Sequence, residues 1–112
     1  MQEDFLKIID ESKALNSKLF TLIRLQLMAN LSLFGLDGIT YRELKAGFNL
    51  SDGVLYSNLQ ILQEMGYVKE SKVRFENKEL QLLQITPEGL EEWKNVHKWL
   101  CKFLNCEVHI DG

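Results

Sequence analysis

Apolar residues recur at helical spacing through the first third of the chain. They predict a short amphipathic helix from about Asp4 to Leu15, and Ser17 is typical of a new N-cap that follows it. Leucine and isoleucine positions from about Lys18 to Phe34 predict a longer core helix, which Gly35 ends. The apolar face of the first helix consists of Phe5, Ile8 and Ile9.

Two further helices are predicted on either side of a tight turn. Thr40 has Glu43 three residues later, which is the spacing of a capping box at a helix start. The next helix spans residues 51–65, with Ser51 as its N-cap and Gly66 at its end. At 100° per residue its buried stripe consists of Leu55, Leu59 and Leu62.

The pattern then changes to two β-rich runs, YVKESKVRF and ELQLLQIT, which predict a hairpin. Asn77 tolerates positive φ, so we expect the tip at Glu76, Asn77 and Lys78. Thr86 as N-cap and Pro87 in the first turn begin a last helix that ends near Asn105. The expected apolar face of the hairpin consists of Val73, Phe75, Leu83 and Ile85.

The predicted fold is mainly helical with a small β-hairpin: a helix-turn-helix, then a hairpin wing, with extra helices at both ends. This order and two stretches, LSDGVLYSNLQILQEMGYV and the ITPEG after the wing, resemble the winged-helix transcriptional regulators, in particular the small MarR-like and PadR-like proteins of bacteria and archaea. We expect one domain over residues 1–112. Its parts are an N-terminal helix (1–16), a winged core (17–89) and a C-terminal dimerisation helix (87–105).

The resemblance implies sequence-specific binding of double-stranded DNA by a homodimeric regulator. The helix at 51–65 would enter the major groove, and the wing at 67–86 would touch the backbone or the minor groove. Ser51 and the free amides beside it suit a phosphate oxygen, and a glutamine suits adenine. The expected DNA-binding residues are Arg42, Lys45, Ser51, Tyr56, Ser57, Asn58, Gln60, Lys69, Lys72, Arg74 and Lys78.

The charge of the chain runs against this expectation. Thirteen basic and 16 acidic side chains give a formal charge of −3, and no lysine or arginine lies between Ser51 and Met65. Many relatives place a cation where this chain has Ser57 and Gln60. The helix would therefore read DNA with neutral groups, and phosphate affinity would come from the preceding helix and the wing. The alternative is a winged helix that binds a protein partner and no DNA.

The last helix carries two apolar stripes, and one core cannot easily bury both. Leu90, Trp93, His97, Leu100 and Leu104 form the first stripe, and Val96, Trp99 and Phe103 form the second. An apolar patch of this size usually marks an interface. We therefore expect a homodimer in which Val96, Trp99 and Phe103 meet the N-terminal Phe5, Ile8 and Ile9.

Two histidines and two cysteines have the spacing HxxxCxxxxCxxH, at His97, Cys101, Cys106 and His109. Such a set suits tetrahedral zinc or a thiol-based redox switch. The first pair, however, falls on an apolar face, where a small buried thiol is the commoner role. We expect packing, with no metal and no cofactor.

Catalysis and a membrane location find no support in the sequence. We see no nucleophile and base at a recognisable spacing and no phosphate-cradling glycine loop. The N-terminal residues are acidic, and no apolar run approaches the ~18 residues of a membrane span. We expect a cytoplasmic protein that is not an enzyme, whose further partner is an unknown small-molecule or protein effector.

Overall fold

The computed structural model describes residues 3–105, which form a helical domain with a small antiparallel sheet. The helices are α1 (Glu3–Glu11), α2 (Leu22–Phe34), α3 (Tyr41–Phe48), α4 (Asp52–Glu64) and α5 (Pro87–Leu104). The strands are β1 (Ile39–Thr40), β2 (Val68–Phe75) and β3 (Lys78–Ile85), in the sheet order β1-β3-β2. This is a winged helix with an added helix at each end.

Side-chain caps begin three of these helices where the sequence predicts them. The hydroxyl of Thr40 accepts a hydrogen bond from the Glu43 amide, and that of Ser51 accepts one from the Val54 amide. Thr86 caps α5 in the same way, with Pro87 in the first turn. Each cap satisfies an amide that the helix leaves unpaired, so these starts are set locally.

The first two helices are shorter than predicted. The Ser12 hydroxyl donates to the Ile9 carbonyl, and α1 gives way there to a 3-10 turn. The predicted N-cap region at Ser17 starts only a second 3-10 turn, Ser17–Leu19. α2 begins after Thr21, whose hydroxyl accepts from the Arg24 amide. Ser17 and Thr21 are both residues typical of an N-cap, and α2 starts after the later one, Thr21.

The wing has a two-residue turn rather than the predicted three. Glu76 and Asn77 both have positive φ, at 51° and 64°, which matches the twist of a tight hairpin. Lys78 pairs with Phe75 and belongs to β3.

The predicted apolar face of the hairpin is wrong. Leu83 pairs with Glu70, and Ile85 pairs with Val68, so these residues share the face that meets the core. Val73 lies five residues after Val68, an odd separation that turns it to the other side of the strand. The outer face of the wing, as we call it, consists of Val73, Phe75, Leu80 and Leu82.

The core lies between α2, α3, α4, α5 and the inner face of the sheet. Leu55 and Leu62 of α4 are fully buried and Leu59 nearly so, as predicted. The other members with almost no exposed surface are Leu19, Leu27, Met28, Leu31, Leu44, Leu83, Ile85 and Val96. Because α4 packs its leucines against α2 and β2, its rotation about its own axis is fixed.

The protomer itself covers Val96 and Trp99 of the second stripe of α5. The Trp99 indole donates to the Ile8 carbonyl of α1 at 2.8 Å, and its ring meets Phe20 edge to face at 5.9 Å. Val96 is fully buried in its own core and offers no surface to a partner. The expectation that Val96 needs a second protomer is therefore corrected. The apolar side chains left exposed on the α1–α5 pair are Leu6, Ile9, Phe103 and Leu104.

The prediction that His97 and Cys101 pack in an apolar environment is wrong, because both are exposed on α5. Within residues 3–105 no cluster of histidine, cysteine and acidic side chains is suited to hold a metal. Cys106 and His109 lie outside the described residues. In the same part of the chain no helix is both long and apolar enough to cross a bilayer.

Gly89 and Gly53 provide a matched test of the packing. A Cβ on Gly89 would overlap the Tyr67 carbonyl oxygen, whereas one on Gly53 would meet no atom within 4 Å. We expect Gly89→Ala to lower the free energy of unfolding by about 1–3 kcal/mol through overpacking. Gly53→Ala should raise it by up to about 1 kcal/mol, since alanine favours the helix.

Urea unfolding followed by circular dichroism checks both variants. Equal stability of Gly89→Ala and the wild type would contradict the close contact between α5 and the start of β2.

Candidate nucleic-acid interface

The exposed face of α4 is polar and has no cation. Burial of one stripe leaves Gly53, Tyr56, Ser57, Gln60 and Glu64 exposed on the opposite side and flanks. Tyr56 is 61% exposed despite its size. The Ser51 hydroxyl, in contrast, is engaged as the cap of its own helix, 3.3 Å from the Val54 amide. The structure therefore places three of the predicted base-reading side chains, Tyr56, Ser57 and Gln60, on an open surface.

Asn58 lies on the flank of α4 that faces α2, and its amide is engaged within the protein. Arg24 Nη1 donates to Asn58 Oδ1 at 3.0 Å, and Asn58 Nδ2 donates to the Val54 carbonyl at 2.8 Å. Arg24 Nε also donates to the Lys18 carbonyl. These bonds join α4 to α2 and to the 3-10 turn before it.

Lys18 and Arg24 are two cations beside α4 that the sequence did not indicate. Together with Ile61, Glu64 and Met65 they line a shallow pocket along this flank. Periodicity assigns Arg24 to a core helix and says nothing of which neighbour it meets. Only the packing of α2 against α4 brings it next to Asn58.

On the opposite flank of α4, the first turn of the helix carries an ion pair. Asp52 in the first turn of α4 accepts from Lys45 Nζ at 3.0 Å and from the Tyr41 hydroxyl at 3.2 Å. The hydrogen bond from Lys45, and then that from Tyr41, hold the pKa of Asp52 below its ordinary value. Burial first, and then the bond to Asp52, raise the pKa of Tyr41. In the free protein Asp52 thus neutralises one of the predicted phosphate-binding cations.

The predicted wing cations divide between the two faces of the hairpin. The face that continues from the core carries Glu70, Lys72 and Arg74. The other face carries Lys69 and Lys78. Lys72 pairs with Glu79 at 3.3 Å. It also lines a shallow pocket with Arg42 of α3, so the structure brings these two cations together. Within residues 3–105, Arg42 and Arg74 form no ion pair.

The arrangement of α2, α3 and α4 with a hairpin after them is that of a winged helix, and comparison with known proteins agrees. Residues 23–104 match the family of winged helix DNA-binding domains, and the chain belongs to this family. Domains of this kind typically bind DNA and catalyse no reaction.

Two similar proteins come from archaea. An uncharacterized protein of Methanocaldococcus jannaschii is 32% identical over 75 residues, which cover 67% of this chain and 79% of that protein. A solved structure described as a transcriptional regulator homologue from Pyrococcus horikoshii superposes with a TM-score of 0.75 at 23% identity. It covers 93% of this chain, and this chain covers 96% of it, so the two share the fold including the terminal helices.

We predict that Lys45→Met raises the pKa of Asp52 toward its ordinary value, because the hydrogen bond that lowers this pKa most is lost. A lowered folded-state pKa means that the pair favours folding at pH above the unfolded pKa of 3.8. That contribution is lost as the pH falls through the folded-state pKa.

Carbon-13 chemical shifts of the Asp52 carboxyl, followed as a function of pH, give this pKa directly. Lys98→Met on α5 removes the same charge far from Asp52 and is the control. An Asp52 pKa that is the same in Lys45→Met and in the wild type would exclude the pairing.

Proposed function

We propose that this protein is a sequence-specific regulator of transcription that binds double-stranded DNA as a homodimer. In this proposal α4 enters the major groove, and the wing formed by β2 and β3 contacts the backbone or the minor groove. The observation that carries it is the exposed polar face of α4, held in a fixed rotation by its buried leucines, within a chain of the winged helix DNA-binding family. The Pyrococcus neighbour, described as a transcriptional regulator homologue, supports the regulatory role. Such a regulator would act in the cytoplasm.

Neutral groups would read the bases. Gln60 can form two hydrogen bonds with adenine, a contact that discriminates by about 1–3 kcal/mol, and Ser57 can donate or accept beside it. Gly53 lies on the same face with open space around it, so a duplex can approach the backbone of α4 closely. We assign Asn58 to holding α4 against Arg24, since its amide is already engaged there.

Cations around α4 would supply the affinity. Arg42 and Arg74 form no ion pair with any residue between 3 and 105, and Lys45 and Lys72 become available when phosphate replaces their carboxylate partners. Lys18 and Arg24 add positive charge on the other flank. Exchange of an exposed ion pair for a phosphate contact costs little, because surface pairs are weak. Because these phosphate contacts release counterions, binding should be strongly salt-dependent even though the formal charge of the chain is −3.

Replacement of Lys72 and Arg74 by alanine should flatten the salt dependence of duplex binding. Each lost phosphate contact lowers the slope of log K against log salt by about 0.9, so loss of both lowers it by about 1.8 per protomer. Fluorescence anisotropy of a labelled random-sequence duplex, measured at several salt concentrations, gives the slope.

Lys94→Ala with Lys98→Ala on α5 is the matched control, since it removes the same charge from an exposed helix outside the interface. An unchanged slope in the wing variant, or an equal change in the control, would show that the wing does not touch phosphate.

The dimer would form through the outer surface of the α1–α5 pair. α1 already covers Trp99 within the protomer, so the surface available to a partner is different from the predicted stripe. Of the predicted interface residues, Ile9 and Phe103 remain more than a third exposed, and Leu6 and Leu104 extend the same patch. Phe5, Ile8 and Trp99 are partly buried within the protomer. Burial of this patch in a homodimer would remove it from water.

We expect Leu104→Glu, at a position 73% exposed, to convert the dimer to a monomer, because it places a charge in an apolar contact. Leu33→Glu is the control: Leu33 is 85% exposed and lies on α2, not on α1 or α5. Sedimentation equilibrium at micromolar concentration distinguishes the two states. A monomeric wild type, or dissociation by Leu33→Glu alone, would contradict the assignment of the interface.

A protein-interaction module is the second candidate function. It is favoured by the outer face of the wing, where Phe75 is 63% exposed and Val73 lies beside it. Such a face suits an apolar partner. A folded protein that fails to bind any duplex at low salt would favour this function over DNA binding.

A further inference from the structure

A cleft of about 410 Å³ lies between α4 and the inner face of the wing. The buried Leu59 and Leu83 form its floor, and Tyr41 and Tyr56 also line it. Its volume is that of a small-molecule site. The cleft is therefore an aromatic and aliphatic space at the surface, large enough for a small ligand.

The charged groups of this cleft are carboxylates. Asp52 and Glu70 line it, and no lysine or arginine does. Lys45 already neutralises Asp52 from outside the lining. Glu70 accepts a hydrogen bond from Gln81 Nε2 at 2.6 Å and, among residues 3–105, has no cationic partner. Glu70 thus adds a negative charge to the lining of a cleft that also contains two tyrosines.

This chemistry repels phosphate and suits a cation with apolar substituents. The face of a tyrosine ring attracts a quaternary ammonium group, and a nearby carboxylate adds a direct charge pair. A small hydrated metal ion would gain nothing from the leucine floor. A neutral apolar ligand would leave Glu70 without a counter-charge.

We propose that the cleft between α4 and the wing binds a small organic cation of the quaternary ammonium class, with Tyr41, Tyr56 and Glu70 as its principal contacts. This ligand-binding proposal does not depend on whether the protein binds DNA. Because Tyr56 and Gly53 line the cleft and also lie on the exposed side of α4, a ligand there would sit next to the surface that we propose reads DNA.

Choline is the probe, and neohexanol, in which carbon replaces the nitrogen, is its uncharged control. Both are titrated into the nitrogen-15 labelled protein without DNA, and amide shifts are followed. Choline should move the resonances of Gly53, Tyr56, Glu70 and Gln81 in a saturable way, and neohexanol should bind about fivefold more weakly, since it lacks the charge. Shifts elsewhere only, no shifts, or equal binding of the two compounds would overturn the proposal.

Variants test the contacts. Glu70→Gln removes the charge but keeps an oxygen to accept from Gln81, and it should weaken choline binding by about fivefold. Glu79→Gln is the control, because Glu79 lies two residues before Gln81 on the same face of β3, pairs with Lys72 and does not line the cleft. Equal affinity of Glu70→Gln and wild type for choline would also overturn the proposal. Both sites are exposed, so the amide spectrum of each variant should show the folded protein.

Discussion

Burial of Leu55, Leu59 and Leu62 is the constraint on which the candidate interface depends. The three leucines are at most 3% exposed, and their spacing leaves only one rotation of α4 that hides all of them. That rotation directs Ser57 and Gln60 to solvent, Tyr56 toward the wing and Asn58 toward α2. The bond between Arg24 and Asn58 then joins the helix to α2. A change in this packing would alter the candidate interface without touching any residue on it.

The electrostatics of the interface are balanced rather than basic. Carboxylates neutralise Lys45 and Lys72 in the free protein, and both pairs are exposed enough to be exchanged for phosphate. The excess acid of the chain lies mainly after Thr86 in the sequence. A duplex that approaches α4 would therefore find modest attraction from the flanks and neutral groups in the middle. Specificity would then depend on the fit of amide and hydroxyl groups, because charge contributes little at the centre.

Local signals predicted most of the fold, whereas contacts between distant elements were not predictable. The caps at Thr40, Ser51 and Thr86 and the glycine after α4 are decided by neighbours within four residues. The faces of the hairpin were predicted wrongly, because Val73 looks apolar and only the register shows that it points away from Leu83. The roles of Lys18 and Arg24, and the cover that α1 gives to Trp99, likewise require the packed structure.

Amide chemical shifts of the nitrogen-15 labelled protein, recorded as an unlabelled duplex is added at low salt, test most directly whether α4 and the wing form the DNA surface. We predict that the resonances of Gly53, Ser57 and Gln60 move together with that of Arg74 on the wing. Resonances of the exposed residues of α5 should stay in place. A folded protein whose spectrum does not change, or changes only in α1 and α5, would contradict this account.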